Sequence, residues 1–551
     1  MKKKKTRRKL RKYVLPSILI LLILITASIG VALYMYIEGN KSTTYYIGNN
    51  EPALEISDKD GNTISIYRGT SVEILNRTAK TDEKEYRIFK YNGKEYYIDE
   101  YYLKNTREEC VYETGLITLR NYTSTKSYDS YEIASFYKAN TTVNITGYHN
   151  LNEDGTIDYY QVDNNGYIPS KYLSDTYYET AYDSSVYRDT IFYSGGDPTL
   201  ISYYPKEDIF FENNIMPDKV KALYINAEAV YRVDSYIELA KGSSINAFVV
   251  DIKDCYVDTQ LAYESPVMRQ YAPSTDNVVN SFENYQAAMK KIKDNGFYLI
   301  GRITAFKDDA FASDNPEEAI LNSDGSLYHY GYVAWPSIYS RKVWEYDVAL
   351  ANEAIDNFGF DEIQFDYCRF PEYVDDYCNT HNTYNETPSQ AITEFLRYAT
   401  EQLHNKETYI SADVFGEISG WDPNEYTAFV TSYGQFWCAI SNVVDVISSM
   451  PYPDHFANYA YGISEPWANP GEIIYAWGRA TRLAQDKTYD PAKCRTWIQA
   501  QYSDPYDVDY TPQFVKDQID SLTRANINDG YLTWNAASNY NSYSRYIDIF
   551  E

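Results

Sequence analysis

The sequence predicts a (β/α)8 TIM barrel over residues 217–551, preceded by an N-terminal transmembrane helix and two small all-β barrels. Three observations carry this prediction. From Val220 onward, apolar strand-like runs alternate with helical stretches, the pattern of a parallel sheet with crossover helices. Residues Tyr13–Ile37 contain no charged side chain. Residues 44–175 repeat a pattern of short strands in which Asn-Gly separates two alternating apolar runs. With 44% hydrophobic content in 551 residues, the chain can bury a core and is not a wholly disordered one.

The N-terminus sets the location. Residues 1–12 (MKKKKTRRKLRK) hold nine basic groups and no acid. The 25 uncharged residues 13–37 that follow are enough to cross about 30 Å of hydrocarbon as a helix. The basic run places its own end in the cytoplasm, so the expectation is a single-pass, uncleaved cell-membrane anchor with the remaining chain, including the barrel, extracellular. Beyond residue 12 the chain has 41 basic groups against 78 acidic ones. A body that acidic repels a phosphate backbone, which excludes nucleic acid as a partner. The 62 tyrosines suit half-wet β-surfaces and sugar-stacking clefts, since each packs a ring and keeps a polar tip.

The two β modules span 44–106 and 110–175, with a linker rich in Gly, Pro and Asn over 176–216. The first ends in YRIFKYNGKEYYIDEYYL and the second in YYQVDNNGYIPSKYL, each with Asn-Gly as its hairpin signal. Both resemble bacterial SH3-like domains. That resemblance implies either contact with cell-wall peptides or a role as spacers. Asp58, Asp60 and Gly61 form a D-K-D-G that lacks the later Glu of a calcium loop and reads as a turn. The six cysteines include no C-x-x-C pair, which argues against a structural zinc site. Cys368 and Cys378 are close enough to staple a loop, and free buried thiols are the alternative.

Eight strands are expected in the barrel: 220–226, 245–254, 297–306, 360–367, 409–416, 444–452, 495–502 and 530–536. Between the third and fourth, Val343, Tyr346, Leu350, Ala354 and Phe358 fall on one helical face, and Gly359 follows as a stop. An open doubly wound sheet would usually carry a Gly-rich phosphate turn, and neither G-x-G-x-x-G nor a P-loop is present.

Function in such a barrel belongs at the C-terminal strand ends. There the second strand closes with Asp251, Lys253 and Asp254, and the third carries Arg302 and leads to Lys307 and Asp308. The fourth offers Gln364, Asp366 and Arg369, and the fifth Asp413 and Glu417. Tyr452, Asp454 and His455 follow the sixth, Gln499 the seventh, and Trp534 closes the eighth. Charge inside a barrel strand is costly unless paired or functional. Arg302 and Arg369 could each simply neutralise a strand carboxylate, Asp361 caps a turn, and Asp454 and His455 could only shape a Pro-rich loop. Asp366 and Asp413 stand apart, at the same depth on adjacent strands. Carboxylates ringed by Trp and Tyr suit a carbohydrate cleft.

Residues 218–505 resemble the "Putative glycosyl hydrolase domain" family, bacterial barrels related to the retaining α-amylase and α-galactosidase barrels. The motifs are INAFVVDIKD, IGRITAFKDDAFA, FGFDEIQFDYCRFP, ISADVFG, Gly434–Gln435 and SSMPYPDHF, in the family's order. Cys368 and the segment WPS (335–337) depart from the usual pattern without removing a carboxylate. The resemblance implies Asp366 as the fourth-strand nucleophile and Asp413 as first choice for the acid/base, with Glu417 and Asp454 behind it. It implies a glycoside hydrolase, and the extracellular location makes a wall or matrix polysaccharide the expected substrate; a non-catalytic polysaccharide-binding protein or a wall scaffold is the alternative. Two carboxyls suffice for this chemistry, so no metal or cofactor is expected. The expected substrate contacts are Asp251, Lys253, Arg302, Gln364, Arg369, Tyr452, Asp454, His455, Gln499 and Trp534.

Overall fold

The computed structural model describes residues 2–81, 84–111, 115–176, 183–374 and 377–550. Residue 1 of the basic segment and residues 177–182 of the expected linker lie outside them. A helix runs over Lys2–Gly39, and its part Val14–Gly39 is 26 residues long and holds an 18-residue window with a mean hydropathy of 2.7. That part is long and apolar enough to cross a membrane. By internal contacts the chain forms two compact units, residues 1–117 with 142–176, and residues 118–141 with 177–551.

Two antiparallel all-β sheets precede the barrel. In the first, Ile56, Ile66, Ile74 and Phe89 alternate inward to form a small core. Asn92 and Gly93 both have positive φ and join Tyr91 to Lys94 as the two-residue hairpin turn expected of Asn-Gly. The second copy differs by two residues. Its left-handed positions are Asp163 and Asn164, closed by Asn165 N–H to Val162 C=O, while Gly166 already pairs with Val162 as strand. Asp and Asn tolerate the left-handed region well enough to move the turn upstream of the glycine. The D-K-D-G segment is a turn, with Asp58 accepting from the backbone N–H of Asp60 and Asn62. Among the described residues Cys110, Cys255, Cys368, Cys438 and Cys494 are free thiols, so no disulfide joins Cys368 to Cys378.

The barrel strands are β1 (Val220–Ile225), β2 (Ala247–Cys255), β3 (Tyr298–Thr304), β4 (Glu362–Asp366), β5 (Tyr409–Phe415), β6 (Val446–Met450), β7 (Thr496–Gln499) and β8 (Gly530–Trp534). They lie parallel in the order β6-β5-β4-β3-β2-β1-β8-β7. A two-residue strand, Lys493–Cys494, pairs with β6, and Arg495 N–H reaches Ile447 C=O just before β7 begins. The result is a near-closed parallel barrel. Helices follow the strands as α1 (Val233–Ala240), α2 (Phe282–Asp294), α3 (Arg341–Phe358), α4 (Pro388–His404), α5 (Trp437–Ser441), α6 (Pro470–Lys487), α7 (Pro512–Arg524) and α8 (Tyr540–Tyr546).

Local signals set these elements. Ser340 caps α3 through the Val343 N–H, and Gly359 ends it at φ 70°. Thr387 and Gln390 form a capping box on α4, with Pro388 at its first position. The strands read as nearly continuous apolar runs because both faces are covered. Leu223, Val250, Ile303, Phe365 and Val414 pack outward against the helices, while Ala222, Val249, Ile300, Trp497 and Leu532 fill the interior.

Residues 118–141 share the barrel's compact unit. Strands Tyr122–Thr125 and Ile133–Tyr137 pair antiparallel there. Arg120 pairs with Glu401, Asn121 donates to Glu394 at 3.2 Å, and Ile133 N–H donates to Glu345 at 2.6 Å. These partners lie on α4 and α3.

Candidate active site

Alternation along β4 turns Glu362, Gln364 and Asp366 into the barrel, and each meets a different polar layer. At the base, Arg495 Nη1 donates to both Glu362 oxygens (2.8 and 3.0 Å), joined by Ser411 Oγ (2.6 Å) and Tyr298 OH (3.1 Å). One turn of the pleat higher, Gln364 Nε2 donates to Ser448 at 3.2 Å and its Oε1 has no partner among the described residues. At the top sits Asp366.

Arg302 of β3 organises this top layer. Its Nε and Nη2 both donate to Asp366 Oδ2 (3.1 and 2.7 Å), and its Nη1 donates to Asp251 Oδ1 at 2.8 Å and Asp254 Oδ1 at 3.3 Å. Asp251 also accepts from Tyr224 OH. Burial pushes the Asp251 carboxyl up to about 7 against the downward pull of Arg302. Tyr367 holds a positive φ of 53°, an uncommon conformation for a residue with a side chain. That twist aims its N–H at Asp366 Oδ1, 2.6 Å away.

Asp413 stands beside Asp366. The β4–β5 register pairs Gln364 with Ser411 and Phe365 with Ala412, so the next inward positions are Asp366 and Asp413. Asp413 is 1% exposed; Oδ1 accepts the indole N–H of Trp497 at 2.8 Å, and Oδ2 has no partner among the described residues. Burial first, then the neighbouring Asp366 charge, hold its pKa well above the ordinary carboxylate range. Both aspartates line a pocket of about 140 Å³, walled by Arg369, Tyr452 and Trp534 among others. Phe415, Met450 and His455 also border a wider groove of about 510 Å³, lined by Glu417, Trp421, Phe429 and Tyr461.

The expected residues divide accordingly. Asp366, Asp413, Arg302, Arg369, Tyr452, His455 and Trp534 line the pocket. Asp251 reaches it through Arg302. Glu417 is exposed in the outer groove, where it accepts from Tyr433 OH. Gln364 lies below the floor. Gln499 Nε2 donates to Asp454 Oδ2 at 2.7 Å, and this pair shapes the loop after β6 rather than lining the pocket.

Lys253 is not brought to the pocket. The β2–β3 register slips between Asp251 and Lys253, and this bulge turns Lys253 to the face opposite Asp251. There its ammonium is fully buried between Asp308 (2.8 Å) and Asp347 (2.9 Å) of α3. Asp361 caps as expected, accepting from Leu299 N–H and pairing with Lys293. Arg369 does not pair with Asp366; Arg302 does. Trp497 and Gln435 were missed as site residues. The inward alternation 495, 497, 499 could have exposed Trp497. Gln435 Oε1 accepts from Phe415 N–H at 3.0 Å and so fixes the end of β5.

The fold and site together define a barrel with paired carboxylates at its C-terminal mouth. The family description "Putative glycosyl hydrolase domain" matches residues 222–540, more than half of the chain, and the protein belongs to that family. No curated protein matches the sequence. Among solved structures it is similar to a hypothetical protein from Ruminiclostridium thermocellum ATCC 27405, at 34% identity over 35% of this chain and 97% of that one, with a TM-score of 0.30. It is similar also to the PgaB (BpsB) glycoside hydrolase domain of Bordetella bronchiseptica (10% identity, 60% and 99% of the chains, TM-score 0.44). A GH18 chitinase from Pseudoalteromonas aurantia is a further match (13% identity, 60% and 100%, TM-score 0.36). Among the described residues no cluster of His, Cys, Asp and Glu could hold a metal ion.

Proposed function

We propose that the protein is a membrane-anchored extracellular glycoside hydrolase that cleaves a wall or matrix polysaccharide with Asp366 as nucleophile and Asp413 as acid/base. The observation that supports this most is the contrast between two neighbouring carboxyls: Asp366 has the Arg302 counter-charge, while Asp413 is buried with one oxygen free. The first suits an anionic nucleophile and the second a carboxyl that keeps its proton. Asp366 attacks the anomeric carbon while Asp413 gives its proton to the leaving oxygen. Water then enters, Asp413 takes its proton, and the Asp366 ester is released with net retention. Adjacent parallel strands lie about 4.8 Å apart, which agrees with the ~5 Å carboxyl spacing of retaining enzymes. The apolar helix with nine basic residues at its start supports the anchor and its orientation. The two β modules then stand between membrane and wall as spacers or peptide contacts.

Reducing-end release by the full-length protein in detergent, across wall and matrix polysaccharides, tests the reading. Asp366→Asn and Asp413→Asn should each lose at least about a thousandfold in kcat/KM, or roughly 4 kcal/mol of transition-state stabilisation. Turnover unchanged in both variants would remove these aspartates from the mechanism. Tight binding of one glycan with no turnover would make the protein a carbohydrate-binding one.

A further inference from the structure

The pocket wall holds a buried cation with no ion-paired carboxylate among the described residues. Arg369 is 7% exposed and faces the pocket. Its Nη1 donates to Phe370 C=O at 3.0 Å, and it forms no ion pair among the described residues. The guanidinium sits among aromatic rings, 4.8 Å from Phe415, 5.2 Å from Trp335 and 5.3 Å from Tyr367. Ring faces attract a cation but do not cancel its charge. The Nε–Nη2 edge, the one Arg302 uses to grip Asp366, donates to no acceptor among the described residues in Arg369.

A second cation touches the same ring. Lys307 is half-buried with its Nζ 4.7 Å from the Tyr367 centroid, and it too has no ion pair among the described residues. Of the nearby acids, Asp366 and Asp254 both accept from Arg302 and attract Lys307 without an ion pair, Glu417 accepts from Tyr433, and Glu372 lines the outer groove. In a chain of net charge −28, two cations without an ion pair among the described residues stand beside one pocket. A desolvated guanidinium with a free two-donor edge gains most from a planar anion.

We propose that Arg369, with Lys307 beside it, forms an anion subsite, so that the sugar entering this pocket bears an acidic substituent such as the carboxylate of a uronic acid. The inference rests on the pocket holding a sugar, and not on which aspartates act or on turnover.

Titration calorimetry of the full-length protein with glucose, glucuronate and glucose 6-sulfate, and with galactose and galacturonate, reads it directly. At least one acidic sugar should bind about tenfold or more tightly than its neutral parent, and 0.5 M salt should shrink that preference. Whether the carboxylate or the sulfate ester is preferred identifies the source of the anion. Arg369→Gln should abolish the preference, Lys307→Gln should weaken it, and Arg369→Lys should keep charge but lose part of it. Equal binding of acid and parent, no binding of either, or a preference unchanged in Arg369→Gln and Lys307→Gln would overturn the inference. Because binding is read without turnover, loss of the hydrolase reading and loss of this one are separate results.

Discussion

Trp497 donates its indole N–H to Asp413 Oδ1 at 2.8 Å and leaves Oδ2 of that carboxyl without a partner among the described residues. This hydrogen bond pulls the Asp413 pKa down while burial and Asp366 push it up, and the upward pair prevails. Trp497→Phe removes the downward contribution, so the proton is held more tightly. The alkaline limb of the kcat/KM profile should then move to higher pH, with the rate down about tenfold through lost orientation. An alkaline limb that stays in place would sever Trp497 from the acid's titration.

Arg302 is shared by Asp251 and Asp366 and is 3% exposed. Arg302→Met leaves buried carboxylates without a counter-charge, at a cost of about 3–5 kcal/mol of stability. In the protein that still folds, Asp366 loses the two donors that hold its carboxylate, so kcat/KM should fall by about a hundredfold or more. Chemical denaturation and kinetics on the same preparation check both parts. Retained stability with unchanged kcat/KM would contradict the role given to this arginine.

Lys253, turned outward by the β2 bulge, should matter to folding and not to substrate. Lys253→Met strands Asp308 and Asp347 and should lower stability by about 3–5 kcal/mol. The KM of the surviving enzyme should be unchanged. A raised KM at unchanged stability would return Lys253 to the cleft.

One lysine facing two carboxylates leaves Asp347 under-compensated, with Oδ2 unpartnered and its pKa pushed up to about 7 by burial. A carboxyl raised above its unfolded value contributes stability that is fully present below about pH 4 and is lost as pH rises through 7. The melting temperature of the wild type should therefore fall between pH 5 and 8 relative to Asp347→Asn. Asp251, also near 7, titrates in both proteins and cancels in that difference. Parallel curves would show that Asp347 does not titrate in this range.

The eight strands were legible because each is an apolar run covered on both faces, and the end of α3 because Gly359 marks it in plain sequence. The neighbouring positions of Asp366 and Asp413 were legible for the same reason, as equal depth on consecutive strands. Lys253 was not, because a one-residue bulge reverses the alternation that a sequence reader must assume. Which arginine partners Asp366 was not legible, for a related reason. Arg369 is near in sequence, but Tyr367 turns the chain through a left-handed conformation, and the across-strand Arg302 takes the carboxylate instead. The Glu362–Arg495 pair joins residues 133 positions apart and leaves no local trace.

The hairpin within residues 118–141 makes the barrel's compact unit discontinuous along the chain. A fragment beginning at residue 217 would carry Glu394 and Glu401 on α4 without Asn121 and Arg120, and would bare the apolar surface that Tyr131 and Ile133 help to cover. Shuffling the barrel between proteins as a cassette would therefore have to carry an upstream piece embedded in a different module. Protease nicking should likewise leave that hairpin behind with the barrel when the rest of its module is digested away.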